Sequence, residues 1–252
     1  MPHKPIPRTP PLGDHVDELL AILAHELRRP LTALLGALAT LQQRDQALSF
    51  HQQQELLGMA RRQGEQLQRL LAQLLAAAGV DHGQARLARR SLVDAAALAE
   101  EAAQAARLAH RDHPITIEVA GPLLVRVDPL AISRILGNLL DNAAAYSPQD
   151  SPIRLSARRD GVHAVLAVHD DGPGIPPDQR DRVFQRYERL DQPTSSTGGG
   201  GLGLGLYIAR RLARTNRGEL QVTDSPGDRG ARLELRLPLA TPRMPRPGDP
   251  RP

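Results

Sequence analysis

Apolar positions in the first third of the chain recur at intervals of three and four residues. After a stretch with five prolines in residues 1–13, Leu20, Leu23 and Leu27 keep helical spacing, and beyond Pro30 the pattern resumes at Leu31, Leu34, Leu38 and Leu41. Asp14, directly before the apolar pattern, is the expected N-cap. The step from Leu27 to Leu31 is a four-residue stutter at the proline, where an interior proline bends a helix one turn upstream. A second stripe, Leu56, Ala60, Leu67, Leu70, Leu74 and Ala77, predicts a helix over residues 50–78, with Gln63 its only polar member. Joined by a polar loop at 42–49, the two helices make an antiparallel hairpin. One hairpin cannot cover both stripes, so pairing with a second copy into a four-helix bundle is the expected solution.

Gly79 to Gly83 carries a helix stop signal, and the periodicity changes after it. Strand-like runs lie at 115–119, 153–157, 164–168, 220–223 and 233–237. Helical patterns fall between them, near 92–110, 129–145 and 204–215. This alternation predicts an α/β sandwich with its helices on one face. The fold class is thus α+β: a helical hairpin forming a dimeric four-helix bundle, followed by an α/β sandwich. Residues 1–13 are read as a disordered leader, 14–83 as the hairpin domain, 84–239 as the sandwich and 240–252 as a disordered Pro/Arg-rich tail.

Composition narrows the function classes. With no cysteine among 252 residues, disulfides and thiolate metal sites are excluded. The 32 basic and 28 acidic residues are interspersed and aromatics are only 2%, so the clustered basic face expected of a nucleic-acid binder is missing. No apolar run approaches the ~18 residues of a membrane span, and the proline-rich amino terminus lacks a signal-peptide core. The expectation is a cytoplasmic protein with no direct membrane span and no nucleic-acid partner.

Four stretches carry candidate chemistry. His25 falls opposite the Leu20–Leu23–Leu27 seam, with Glu26 beside it; a neutral imidazole has one nucleophilic nitrogen, and a carboxylate on the other N–H fixes the tautomer. A zinc-protease helix would need histidine at position 29, where the chain has Arg29. Asn138 and Asn142, four apart, project from one helix face, and side-chain carbonyls suit Mg²⁺. Asp170 opens an Asp-Asp-Gly-Pro-Gly turn after a strand, where a carboxylate can accept from an exocyclic amine; an ordinary turn has the same sequence. The ladder from Gly198 to Leu206 feeds an apolar-periodic helix. Glycines before a helix N-terminus make a phosphate cradle from free N–H groups, although a Gly-rich run alone also reads as a linker.

In this order, the stretches resemble the sensor histidine kinases of two-component systems. HELRRPLTALLGAL is similar to the phosphoacceptor helix, ILGNLLDNAAAYSP to the asparagine box, DDGPGIP to the first glycine box, VFQRYERLD to the phenylalanine box and GGGGLGLGLYIARRL to the second glycine box. The likeness spans about residues 14–239. It implies an ATP-dependent protein-histidine kinase that phosphorylates His25, with Glu26 as acid/base partner, and passes the phosphoryl group to a response regulator receiver domain. It implies ATP and Mg²⁺ as cofactors and Asn142 as the metal ligand. Around the nucleotide it places Asn138, Tyr146, Asp170, Gly172, Gly174, Ile175, Gly201, Gly203, Leu204 and Gly205. Residues 176–200 would form a mobile lid, and the fold would be that shared with gyrase and the Hsp90 chaperones.

Two positions depart from the family pattern. Arg29 stands where a threonine or asparagine often positions water for regulator dephosphorylation, and Ala145 replaces a common basic residue. The sequence as given shows no sensor domain before the hairpin; the expectation is either a separate sensor protein as a partner beside the homodimer or a chain that is a fragment of a longer protein. Two alternatives remain. One is a non-catalytic dimerising scaffold or phosphorelay module with a degenerate ATP site; the other is an ATPase or serine kinase on the same fold.

Overall fold

The computed structural model describes residues 12–42, 48–81, 90–188, 190, 202–225, 227 and 229–240, with side chains except at 12–22, 69, 72, 73 and 75–81. The expected leader and tail therefore lie outside the described residues, apart from their innermost positions. The chain divides into two compact units, Met1–Ala76 with Gly200–Leu202 and Ala77–Gly199 with Gly203–Pro252.

The first unit is built on α1 (Leu12–Gln42) and the long α2 (Phe50–Asp81). α1 starts two residues before Asp14 and so overturns its assignment as N-cap; Leu12 and Gly13 are already helical. The helix is also assigned without a break through Pro30. Along α1 the covered positions include Leu23, Leu27, Pro30, Leu34, Ala37 and Leu41, flanked by half-buried Glu26, Ala33 and Thr40. The first series is a regular four-three repeat, and Pro30 is one of its buried members rather than an interruption. Leu31 and Leu38, expected on this seam, instead lie with Leu35 on a second stripe, 45%, 40% and 55% exposed. In α2 the covered positions include the predicted Leu56, Ala60, Gln63, Leu67, Leu70 and Leu74; Gln66 is a second covered polar residue, and the side chain of Ala77 lies outside those described. Ser49 starts α2 with reciprocal bonds: its Oγ accepts from the Gln52 N–H at 3.2 Å, while its own N–H donates to Gln52 Oε1 at 2.9 Å. Such a capping box satisfies two donors that the first helical turn would leave free.

The second unit runs β1 (Ser91–Asp94), α3 (Ala95–Ala109), β2 (Ile115–Val119), β3 (Leu124–Val127), α4 (Pro129–Tyr146), β4 (Ile153–Asp160), β5 (His163–His169), α5 (Gly205–Thr215), β6 (Glu219–Thr223) and β7 (Arg232–Pro238), with short 3-10 helices at Pro177–Gln179 and Arg182–Phe184. Five strands form one sheet in the order β2-β4-β5-β7-β6. Only β2 and β4 are parallel. β1 and β3 make a separate antiparallel pair. Neither is among the predicted strands, because four residues are too few for alternation to stand out, and β1 reads as the start of the following helix.

The core lies between one sheet face and α3, α4 and α5. Leu155, Ala157, Leu166, Val168, Leu233 and Leu235 face Ile132, Ile135, Leu136, Leu139 and Leu140 of α4 within one buried cluster. Capping fixes where the helices begin. Asp94 Oδ1 accepts from Ala96 N–H and from Leu123 N–H, joining the start of α3 to the chain entering β3. Asp128 caps α4, and its own N–H donates to Asn216 Oδ1 at 2.8 Å. Asn216 is buried at the end of α5, so this bond sets α4 against α5. Among the described residues, no helix is long and apolar enough to cross a membrane.

Candidate active site

Three segments meet on one face of α4. Asn138, Asn142 and Tyr146 succeed one another at four-residue intervals, so they share that face over about two turns. At its far end, the turn after β5 lies against the helix terminus. A Cβ on Gly172 would come within 2.9 Å of Tyr146 O and 2.7 Å of Asp170 Oδ1. Only glycine lets the chain pass between these two groups.

Asp170 directly follows β5 and is 4% exposed. Its Oδ1 accepts from Gly172 N–H at 2.8 Å and from Ala231 N–H at 3.2 Å. Burial pushes the carboxyl above its ordinary range and Asp171 adds to the rise, while the two backbone bonds pull it back. A carboxylate kept in an apolar setting by backbone donors is an expensive arrangement for packing alone, since a buried charge is tolerated only when partnered. Gly174, with φ +80°, places its α-carbon where a Cβ would be 3.0 Å from Gly230 O. Ile175 packs against the edge of the core.

The second meeting point is the start of α5. The Asn138 side-chain amide donates to Gly205 O at 3.1 Å, and Asn142 Oδ1 lies 3.9 Å from the place a Gly205 Cβ would take. Buried Leu204 is the N-cap residue, and among the described residues its apolar side chain makes no cap bond to the helix N-terminus. The first N–H groups of α5 thus open beside the asparagine face, where helix polarity favours an anion. Gly203 has φ +63°, and a Cβ there would fall 2.7 Å from the Tyr187 carbonyl carbon; Tyr187 N–H donates to Gly203 O at 3.1 Å. Gly201 and the ladder from 198 lie outside the described residues. Of the segment 176–200, residues 176–188 and 190 are described. They include the two 3-10 helices and buried Phe184, which lies 4.5 Å beneath the Arg210 guanidinium.

Sequence reasoning missed Gly230 and Ala231. Gly230 has φ +74°, and its Cβ would overlap Asp170 O at 1.7 Å. Ala231 makes two hydrogen bonds with Asp170, its N–H donating to the side-chain Oδ1 and its carbonyl accepting from the Asp170 N–H at 3.0 Å. The signal available was the SPGDRGA stretch, whose glycines read as a plain turn. In the helical unit, His25 and Arg29 are exposed one turn apart on α1, with Glu26 half-buried between them in sequence. Ala145 is exposed near the end of α4. Among the described residues no group of three or more His, Cys, Asp or Glu side chains is placed to hold a metal.

Comparison with known proteins adds the family. Residues 15–83 match the His Kinase A (phospho-acceptor) domain, and residues 127–241 match the histidine kinase-, DNA gyrase B-, and HSP90-like ATPase domain. The adaptive-response sensory kinase SasA of Thermosynechococcus vestitus is 34% identical over 232 residues, 88% of this chain and 60% of that protein. The chain thus spans about 60% of the length of this curated relative. Among solved structures, the mycobacterial sensor histidine kinase MprB matches at 30% identity and a TM-score of 0.52, covering 60% of this chain and 97% of that one. Full-length ShkA in complex with AMPPNP matches at 28% identity and a TM-score of 0.62, over 89% and 46% respectively. With both domain families matched in order, and with the sandwich carrying Asp170 and the asparagine face where the sequence motifs fall, the chain belongs to the two-component sensor histidine kinases.

Proposed function

We propose that this chain is an ATP-dependent protein-histidine kinase, with residues 14–83 as the dimerisation and phosphotransfer domain and 84–239 as the catalytic domain. The observation that carries the reading is the α4 face. It brings a buried carboxylate, two asparagine amides and an uncapped helix N-terminus together along two helical turns. Asp170 accepts from the adenine amino group beside the backbone of Gly172, Gly174 and Ile175, with Tyr146 closing the far end. The N–H groups at Leu204, Gly205 and the next turn, with Gly201 and Gly203 before them, receive the phosphates. AMPPNP is bound by the structural relative ShkA, which supports a nucleotide at this place.

Mg²⁺ fits the donor set. A hard cation binds amide oxygens, keeps most of its waters and shares phosphate oxygens, so it does not require a carboxylate cluster. Asn142 Oδ1 is the ligand in this reading, and Asn138, held by Gly205 O, orients the helix start beside it. The ion, when bound, neutralises phosphate charge. His25 attacks the γ-phosphorus with its unprotonated ring nitrogen, and the bond between γ-phosphorus and the bridging oxygen breaks to release ADP. Glu26 takes up the imidazole proton. The phosphoryl group then passes to an aspartate of a response regulator receiver domain.

The exposed stripe Leu31, Leu35 and Leu38, together with Phe50, Leu57 and Leu71 at heptad spacing on α2, supports a homodimer, because surface left apolar in one chain is covered by a second. The test of the whole reading is incubation with γ-labelled ATP. Acid-labile, alkali-stable label is expected on the parent and none on His25→Gln, while that variant still binds ATP. Acid-stable label, or label persisting in His25→Gln, would reject it.

A further inference from the structure

Asp170 is flanked by two residues that one arginine holds. Arg154 Nη1, from the neighbouring strand β4, donates to His169 Nδ1 at 3.2 Å and to Asp171 Oδ1 at 3.0 Å. A guanidinium has no acceptor, so His169 Nδ1 must offer its lone pair, and the hydrogen of the neutral ring sits on Nε2. That nitrogen reaches the other way, into the connection between β6 and β7. It lies 2.5 Å from Ser225 Oγ and 3.2 Å from Arg229 O. Ser225 Oγ itself donates to Arg229 O at 2.5 Å. The directions close without conflict: Arg154 donates to the ring, the ring donates to Ser225 and the Arg229 carbonyl, and Ser225 donates to the same carbonyl.

Arg229, held at the end of this hydrogen-bond chain, directly precedes Gly230 and Ala231, the two residues that wrap Asp170. Gly230 has no room for a side chain above Asp170 O, and Ala231 N–H is one of the two donors to Asp170 Oδ1. A small outward shift of Arg229 would withdraw the Ala231 donor. The carboxylate would lose one of the bonds that keep it ionised and aimed.

We infer that His169 is a positioning residue for nucleotide recognition: with Arg154 on one side and Ser225 on the other, it clamps the β6–β7 connection so that Ala231 N–H stays on the Asp170 carboxylate. This rests on the reading of Asp170 as the adenine-binding group. It assigns to the strand residue just before that aspartate, whose side chain meets β4 and the β6–β7 connection, a share of the affinity for ATP. His169 touches no substrate in this role and takes no part in phosphoryl transfer.

Binding of AMPPNP and steady-state autokinase activity would be measured on the full chain for the parent, His169→Ala, His169→Gln, His169→Asn and Asp170→Asn. Glutamine carries an N–H near the place of Nε2, whereas asparagine ends at the place of Nδ1. A lost hydrogen bond of this kind corresponds to roughly a two- to tenfold change. His169→Ala and His169→Asn should therefore raise the Kd and the KM for ATP by about that factor, with kcat unchanged, and His169→Gln should restore parent values. Parent affinity in His169→Ala, or a glutamine no better than asparagine, would overturn the clamp while leaving the nucleotide site standing. A parent that does not bind, or an Asp170→Asn that binds as tightly as the parent, would overturn the site and the clamp together. If His169→Ala fails to fold, Ser225→Ala decides instead, with a weakened Kd expected and an unchanged one fatal.

Discussion

Replacing Asp170 with asparagine should separate what this carboxylate does for binding from what it does for folding. Asparagine keeps the shape and one carbonyl oxygen for the N–H groups of Gly172 and Ala231, but removes the charge. A hydrogen bond to a charged group contributes about 1.5–3 kcal/mol, so ATP affinity should fall at least tenfold. Stability should move the other way or not at all. Burial raises the folded-state pKa of Asp170 above its usual value, so the stability this group adds is fully present below the unfolded pKa. It is lost as pH rises through the folded one. Near neutrality the ionised carboxylate is therefore a net cost to the fold, and the amide removes that cost. Parent and variant would be compared by calorimetric titration with AMPPNP and by thermal melting across pH. ATP affinity of the parent should already decline on acidification above the ordinary carboxylate range, while the variant shows no such decline. Equal affinity in the two proteins would refute the adenine contact. A large affinity loss accompanied by a large fall in melting temperature would show that the effect is structural.

Leu35→Glu places a charge in the exposed stripe of α1 and should convert the dimer to a monomer at micromolar concentration by light scattering; an intact dimer would place the interface elsewhere. Gly205→Ala meets only ordinary contacts at 3.9 Å and gains helix propensity of up to about 1 kcal/mol. Its melting temperature should hold or rise while ATP affinity drops, and unchanged affinity would remove Gly205 from the phosphate site. Arg29 offers donors only and cannot accept a proton from an attacking water, so phosphatase activity toward a phosphorylated regulator should be low and Arg29→Thr should raise it. Rapid regulator dephosphorylation by the parent would contradict this.

Long amphipathic elements were legible because their periodicity repeats often enough to exceed chance. The α2 stripe from Leu56 to Leu74 is covered in the structure, and α4 spans Pro129–Tyr146 where the pattern predicts a helix near 129–145. α1 was harder, since leucines occupy two adjacent stripes and the most buried members are Pro30 and Ala37, which a search for large apolar residues passes over. β5 shows another limit. Val165 and Ala167 are buried on the sheet face away from the helices, beside Arg158 and Arg236 and the buried Glu234 that accepts two bonds from Arg232. A strand covered on one face by helices and on the other by long charged side chains has no polar alternation to read. The candidate site's side chains stand out in the sequence through their motifs, but the donors that hold Asp170 are backbone N–H groups of Gly172 and Ala231. Backbone groups leave no side-chain signature in a sequence.

The glycines of the site divide by what excludes a side chain, and the division bears on function. At Gly172, Gly203 and Gly230 the obstacle is the protein: a Cβ would strike Asp170 and Tyr146, the Tyr187 backbone, or Asp170 again, at 2.9 Å or less. Those three are explained by the fold and would be required even if nothing bound. Gly205 is different. Its nearest neighbours are the Asn138 and Asn142 side chains at van der Waals distance, and it opens a helix, where glycine is a poor choice. Among the described residues, packing gives no reason for the missing side chain at Gly205. The proposed nucleotide site would give one, since phosphate oxygens seated on the first N–H groups of α5 would need the volume a Cβ would occupy. In the proposed reading, the same reasoning accounts for apolar Leu204 at the N-cap of α5, which makes no side-chain cap bond: a capping side chain would compete with a phosphate for the N–H groups beside the asparagine face.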